Sequence, residues 1–307
     1  MTREEHKQGT AYLYAAIAVV FWSTSATAFK LTLRRLDILS LLLCASVAST
    51  LALLLYLLAT RRLPILRSFT KKDCLISAGL GFLNPFLYYV VLFKAYSLLL
   101  AQEAQPLNFV WPLTLVLLSI PLLGQRIKLA SLVAIGISFS GVVVIGTRGD
   151  LLSFRFSNPL GVVLALSTTI VWSLYWIFNT RDKQEETVRL LVNFAFASVF
   201  IFLVWLCLGN AAVPSLPGLL GGIYIGLFEM GLAFLAWLKA LRTAKTTAHV
   251  VSLIYLVPFL SLVVIALVLR ETILPSTLVG LLLIITGIVL QKLAGQRREE
   301  ELVQDRL

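Results

Sequence analysis

Charged side chains are what this sequence has least of: Asp, Glu, Lys and Arg make up 13% of the 307 residues. A soluble domain carries roughly 25%, enough to keep a solvated skin. This chain cannot cover a water-facing surface, and its mean hydropathy of +0.93 says the same. Cysteine is nearly absent. Cys44, Cys74 and Cys207 lie in or beside apolar stretches without a CxxC pair, which excludes a disulfide framework or a thiolate metal cluster and leaves them as small packing residues. The two histidines and the lack of any HExxH, GxSxG or phosphate-loop pattern leave no metal centre, cofactor or enzyme chemistry to expect. Without a nucleotide-binding segment, any work the protein does must draw on an ion gradient or on a solute's own gradient.

Long apolar runs are what the sequence has instead. About 20 apolar residues span a hydrocarbon core, and ten stretches qualify: 10–30, 36–60, 73–98, 100–123, 128–147, 158–180, 187–209, 217–240, 246–269 and 275–294. Backbone polar groups cannot go unpaired in lipid, so such runs must be helices, being too long and too evenly apolar for barrel strands. No small-residue cleavage site follows the first run, which therefore reads as a retained helix. The expected fold is an all-α membrane protein of about ten transmembrane helices with polar ends at 1–9 and 295–307, the second expected to be disordered.

The net charge of +11 does not form a basic face. The 26 Lys and Arg residues fall between apolar runs, 19 on one side of the expected topology and seven on the other. That distribution sets membrane orientation, with both termini cytoplasmic, and argues against a nucleic-acid partner.

Phe21-Trp22-Ser23 returns as Val171-Trp172-Ser173 after 150 residues, and Phe93-Lys94-Ala95 returns as Leu238-Lys239-Ala240 after 145. Pro112 matches Pro258, and Ser140-Gly141 matches Thr286-Gly287, both after 146. Two five-helix halves, 10–147 and 158–294, follow. Because five is odd, the second half must be inverted relative to the first, the architecture of secondary transporters with a site near the midplane.

Trp22, Trp111 and Trp172 fall near the middle of their runs, where an indole N–H needs a polar partner and a cavity can supply it. An ionisable group inside the bilayer is costly and by default functional. Glu229 lies mid-run, and the repeat places Asn84 at the equivalent position, so the two are expected to approach one another. Glu103 and His249 form a second equivalent pair at helix starts. Glu229, Asn84, Glu103 and His249 are therefore candidates for coupling to a proton or a substrate ammonium.

The run from His249 through Val257-Pro258 to Leu269-Arg270-Glu271-Thr272-Ile273, then Gly280 and Thr286-Gly287, resembles the signature of EamA-type members of the drug/metabolite transporter superfamily. Trp111-Pro112 and Gly124-Gln125-Arg126-Ile127 resemble a weaker first copy, with Gln125 where the family commonly has Glu. Asn108-Phe109-Val110-Trp111-Pro112 is similar to the Asn-Tyr-Leu-Trp-Pro stretch of bacterial aromatic amino-acid exporters. The resemblance implies an aromatic-lined central cavity, with Trp22, Tyr88, Tyr89, Asn108, Phe109, Trp111 and Trp172 as substrate-binding residues. Phe109 lacks the hydroxyl of the family's Tyr.

The resemblance further implies a transporter of the bacterial inner membrane that exports aromatic or small neutral amino acids, or similar metabolites. Its expected partners are a small-molecule substrate and the lipid bilayer, and a monomer suffices. An aromatic cage for choline or another organic cation is the alternative, and a scaffold without transport is the reading of a different class.

Overall fold

A computed structural model describes residues 3–124, 129–152, 155–179, 184–208, 214–244, 250 and 252–304, and the backbone alone for 3–7, 129 and 294–304. Among the described residues there is no strand. The helices are α1 (Arg3–Leu33), α2 (Ile38–Ala59), α3 (Lys71–Leu98), α4 (Ala101–Leu123), α5 (Leu129–Gly146), α6 (Pro159–Asn179), α7 (Glu186–Leu208), α8 (Leu216–Thr243), α9 (Leu253–Leu269) and α10 (Pro275–Gln304). Eight are long and apolar enough to cross a membrane, and α5 and α9 are shorter apolar helices.

Local chemistry sets the helix ends. Asp37 accepts from the N–H groups of Leu39 and Ser40, both at 3.0 Å, and so starts α2. Thr70 and Asp73 form a reciprocal capping box that opens α3, satisfying two of the N–H groups a helix start leaves orphaned. Gly124, at φ 66°, ends α4 in the left-handed conformation that glycine tolerates best. The C-terminal end corrects the expectation of disorder beyond residue 295, because α10 runs to Gln304. Good helix formers fill that stretch, and Arg297 stands four residues before Glu301, a spacing that supports a helix in water.

Helices α3 and α8 each carry a π-helical break midway. In α3, residues Phe82–Leu87 form a π-helical turn, with Asn84 extended (φ −147°, ψ 122°) just before Pro85. In α8, residues Ile225–Gly231 form another. The packing of the first five helices recurs in the last five. Helix α1 lies along α8 as α6 lies along α3, α9 meets α1 as α4 meets α6, and α2 packs on α7 and α5 on α10. Close approach at two sites depends on glycine: a Cβ at Gly81 would strike the carbonyl of Asn193, and one at Gly226 would strike that of Ala45.

Candidate functional site

A cavity of about 80 Å³ lies where α1, α3, α4, α6, α8 and α9 converge. Helix α4 reaches it through its own break. Ala101–Asn108 ends at Phe109, whose N–H bonds the carbonyls of Gln105 and Pro106 at 3.1 Å, and a new helix begins at Trp111. That turn presents Asn108, Phe109 and Trp111 to the cavity. Asn108 accepts from the Tyr88 hydroxyl at 3.3 Å and donates to Thr168 Oγ1 at 2.7 Å, joining α3, α4 and α6.

The walls are mostly rings. Tyr88 lies 4.9 Å from Trp172, and Trp111 lies 6.4 Å from it, measured between centroids. The Trp22 indole donates to the backbone carbonyl of Glu229 at 3.3 Å, a carbonyl within the π-helical turn of α8. Such turns loosen the regular ladder and recur at functional sites. The Trp172 indole N–H is buried without a partner.

Glu229 is the one charged group among the residues lining this cavity. Ser25 donates to its Oε2 and Tyr89 donates to its Oε1 at 3.1 Å. Trp22, Tyr88, Asn108, Phe109, Trp111 and Trp172, which the family resemblance implies as substrate-binding residues, line the cavity. Tyr89 stands behind Glu229, wholly buried.

The other candidates lie elsewhere. Asn84 is not among the residues lining the cavity; it is wholly buried and lies against Tyr175 of α6. Glu103 pairs with Arg148 at 2.6 Å and accepts from the N–H of Leu100 at 3.2 Å, which makes it part of the α4 start. His249 lies outside the described residues. The sequence reading passed over Ser25, Phe29, Leu92, Tyr96, Ile254 and Val257, all of which line the cavity. A signal existed for four of them. Ser25 and Phe29 follow Trp22 at three and seven residues, and Leu92 and Tyr96 follow Tyr88 at four and eight, the spacing of one helix face.

One end of the cavity is closed. Phe29 packs on Phe93 and Tyr96 at 5.0 and 5.2 Å. The Lys30 ammonium donates to the carbonyls of Tyr96 and Leu99 at 2.7 and 2.6 Å. Glu271 accepts from the N–H groups of Ala101 and Gln102 at 3.1 and 3.3 Å, tying the α9–α10 connection to α4. At the opposite end is a second cavity of about 530 Å³, whose walls include Tyr175, Trp176, Asn179, Arg189, Phe234 and Arg242. Phe234 stands between the two cavities, with its ring 5.9 Å from Trp172 and 6.0 Å from Trp22.

Apolar helices gathered around a small ring-walled cavity with one carboxylate describe a multi-pass membrane protein that holds a small solute. The chain belongs to the EamA-like transporter family, whose pattern matches residues 9–147 and 159–291. It is similar to the transporter YvbV of Bacillus subtilis, 26% identical over 78% of this chain and 77% of YvbV. It is also similar to a probable terminal-alkyne amino-acid exporter of Streptantibioticus cattleyicolor, 29% identical over 65% of this chain and 67% of that protein. The aromatic amino acid exporter YddG of Ancylobacter novellus is 27% identical over 52% of this chain and 55% of YddG. One solved crystal structure superposes over 95% of this chain and 99% of its own with a TM-score of 0.67, and at 22% identity that likeness speaks to the fold alone.

Proposed function

We propose that the protein is a secondary transporter that exports amino acids, aromatic or small and neutral, or similar small metabolites across the bacterial inner membrane. The observation that carries this reading is Glu229, a carboxylate set in a cavity walled by tryptophan and tyrosine, with no lysine or arginine among the lining residues. Such a site favours an ammonium over an anion and gives an apolar side chain flat surfaces to lie against. Two relatives named as amino-acid exporters support the same substrate class.

Alternating access between inverted five-helix halves, 10–147 and 158–294, is the mechanism that goes with this reading. The recurrence of the α1–α8 packing as α6–α3 supports it, as does a family pattern that matches two successive segments. With the basic side cytoplasmic, the closed end faces outward and the larger cavity faces inward. The 80 Å³ of the central cavity hold several waters at about 10–15 Å³ each. An aromatic amino acid therefore requires the rings around Trp172 to move apart.

The single carboxylate among aromatic rings equally favours a quaternary ammonium such as choline, which is the second reading. Competition in protein reconstituted into liposomes separates the two. Phenylalanine or threonine, but not choline, displaces substrate if amino acids are the cargo. Displacement by choline alone overturns the amino-acid reading, and absence of any solute flux overturns transport itself.

A further inference from the structure

At the closed end of the central cavity the first five helices and the last five meet through polar groups. Leu99 and Leu100 turn the corner between α3, which ends at Leu98, and α4, which begins at Ala101. Charge holds both helix ends at that corner. The Lys30 ammonium of α1 donates to the carbonyls of Tyr96 and Leu99, at the electronegative end of α3. The Glu271 carboxylate, beyond α9, accepts from the N–H groups of Ala101 and Gln102, at the electropositive end of α4. Gln102 reaches the same connection with its side chain. Its Nε2 donates to the Thr272 carbonyl at 3.0 Å, and its Oε1 accepts from the Leu274 N–H at 2.8 Å and the Thr277 hydroxyl at 3.1 Å.

Hydrogen bonds of this kind, at the ends of membrane-spanning helices, can be exchanged for bonds to water at small net cost. A seam of interlocked apolar side chains could not part so cheaply. The corner is also tied to the cavity. Tyr96 gives its carbonyl to Lys30, while its ring lines the cavity and its hydroxyl donates to Gln105 Oε1 at 2.6 Å. Gln105 lies three residues beyond Gln102 and lines the cavity as well. Phe29, beside Lys30 on α1, packs its ring on that of Tyr96. A solute that displaces Tyr96 or Gln105 therefore pulls on the corner that Lys30 and Glu271 hold.

We infer that Lys30 and Glu271 are the latch of an outer gate: together they hold the α3–α4 corner shut over the cavity, and its release opens the cavity outward. The latch rests on the alternating-access reading above and names the residues that control its outward step. Neither residue is among those lining the cavity, so their part is access to the site and not the shape of its walls. Lys30 holds the corner from within the first five helices, and Glu271 holds it from the last five. Loss of either charge frees one of the two helix ends that must move.

Access from outside is the measurement. Ile254, an apolar residue of the cavity lining, is changed by Ile254→Cys in a full-length protein that carries Cys44→Ala, Cys74→Ala and Cys207→Ala. Intact cells are exposed to a membrane-impermeant thiol reagent, and the rate of labelling is followed. Slow labelling is expected with the latch intact, and labelling at least tenfold faster in Lys30→Met and in Glu271→Gln. Methionine keeps the length of the lysine stem without its charge, and glutamine offers one acceptor oxygen where the carboxylate offers two. The thermal transition of each purified variant shows whether it is folded, and should one fail to fold, the other carries the test. Folded variants that label no faster than the protein with its latch intact overturn the inference and leave Lys30 and Glu271 as helix caps. Fast labelling with the latch intact overturns it too, because the corner is then not the outer barrier. Solute flux in liposomes tests the transport reading separately. Flux together with unaltered labelling removes the latch alone, whereas faster labelling in a protein without flux removes transport and leaves the closure standing.

Discussion

Tyr89 donates its hydroxyl to Oε1 of Glu229 at 3.1 Å, and the two residues come from α3 and α8, the third helix of the first five and the third of the last five. Ser25 of α1 holds the second carboxylate oxygen. One carboxylate thus joins three helices at the wall of the central cavity. If protons drive transport through it, Glu229→Gln keeps most of the geometry, because the amide oxygen can still accept from one hydroxyl while its NH2 donates to the other, but it cannot release a proton. The expected result is substrate flux that no longer varies with pH, in a protein whose thermal transition stays within a few degrees of the parent. Flux measured across a pH series in liposomes checks this. A variant that melts much lower yet keeps its pH dependence would mark Glu229 as a helix tie only.

Trp111 begins the second segment of α4, immediately before Pro112. Its ring faces the cavity opposite Trp172. Trp111→Ala is expected to weaken substrate binding by about 1–3 kcal/mol, the scale of burying a large apolar side chain. Trp205 is the control, since it lies outside the cavity lining and its indole donates to Ser40 at 3.0 Å. Trp205→Ala should cost some stability through that lost bond and leave affinity alone. Substrate titration of both purified variants distinguishes a binding ring from a packing ring.

The parts of this site that were legible in the sequence were those that broke the local rule. Glu229 is a charge in an apolar run and Trp111 an amphipathic ring far from either membrane face, so each declared itself. Phe29 and Tyr96 did not, because an aromatic in an apolar helix is ordinary, and only their spacing from Trp22 and Tyr88 marks the shared face. Asn84 stays outside the cavity lining for a local reason, since the break in α3 leaves it extended and against Tyr175. Glu103 stood out in the sequence as an acid at a helix start, and its position three residues into α4 lets it reach back to the Leu100 N–H and across to Arg148.

At the end of the bundle that holds the larger cavity, Glu185 gathers Arg62 from beyond α2 and Arg242 from α8, each at 3.1 Å. Burial pushes the Glu185 carboxyl up, but the Val188 N–H and the guanidinium groups of Arg242 and Arg62 together hold it below the usual carboxylate range. A carboxyl depressed in the folded state adds stability above its unfolded value, about 4.3, and loses it as pH falls through the lower folded value. Both arginines are about two-fifths exposed, so the contribution is on the order of 1 kcal/mol or less. Glu185→Gln should therefore melt slightly lower at pH 7 and lose less on acidification below pH 4. Thermal scans of both proteins from pH 3 to pH 7 check the sign.

The orientation proposed for the molecule rests on charge, and the structure gives it a consequence beyond topology. Nineteen of the 26 basic residues fall on the side of the chain termini in the expected topology, and a bias of that size favours the cytoplasm for that side. Lys71 and Lys72, at the start of α3, share that side with Arg242 at the end of α8. Arg35, between α1 and α2, shares the other with Arg148 and Asp150, beyond α5. Single cysteines replacing Lys71 and Leu307 should then be protected from a membrane-impermeant thiol reagent in intact cells, and cysteines replacing Arg35 and Asp150 should be labelled. The background is simple to remove, since only Cys44, Cys74 and Cys207 need substitution. External labelling at Leu307 would reverse the topology. It would also reverse the assignment of the 530 Å³ cavity to the inward face.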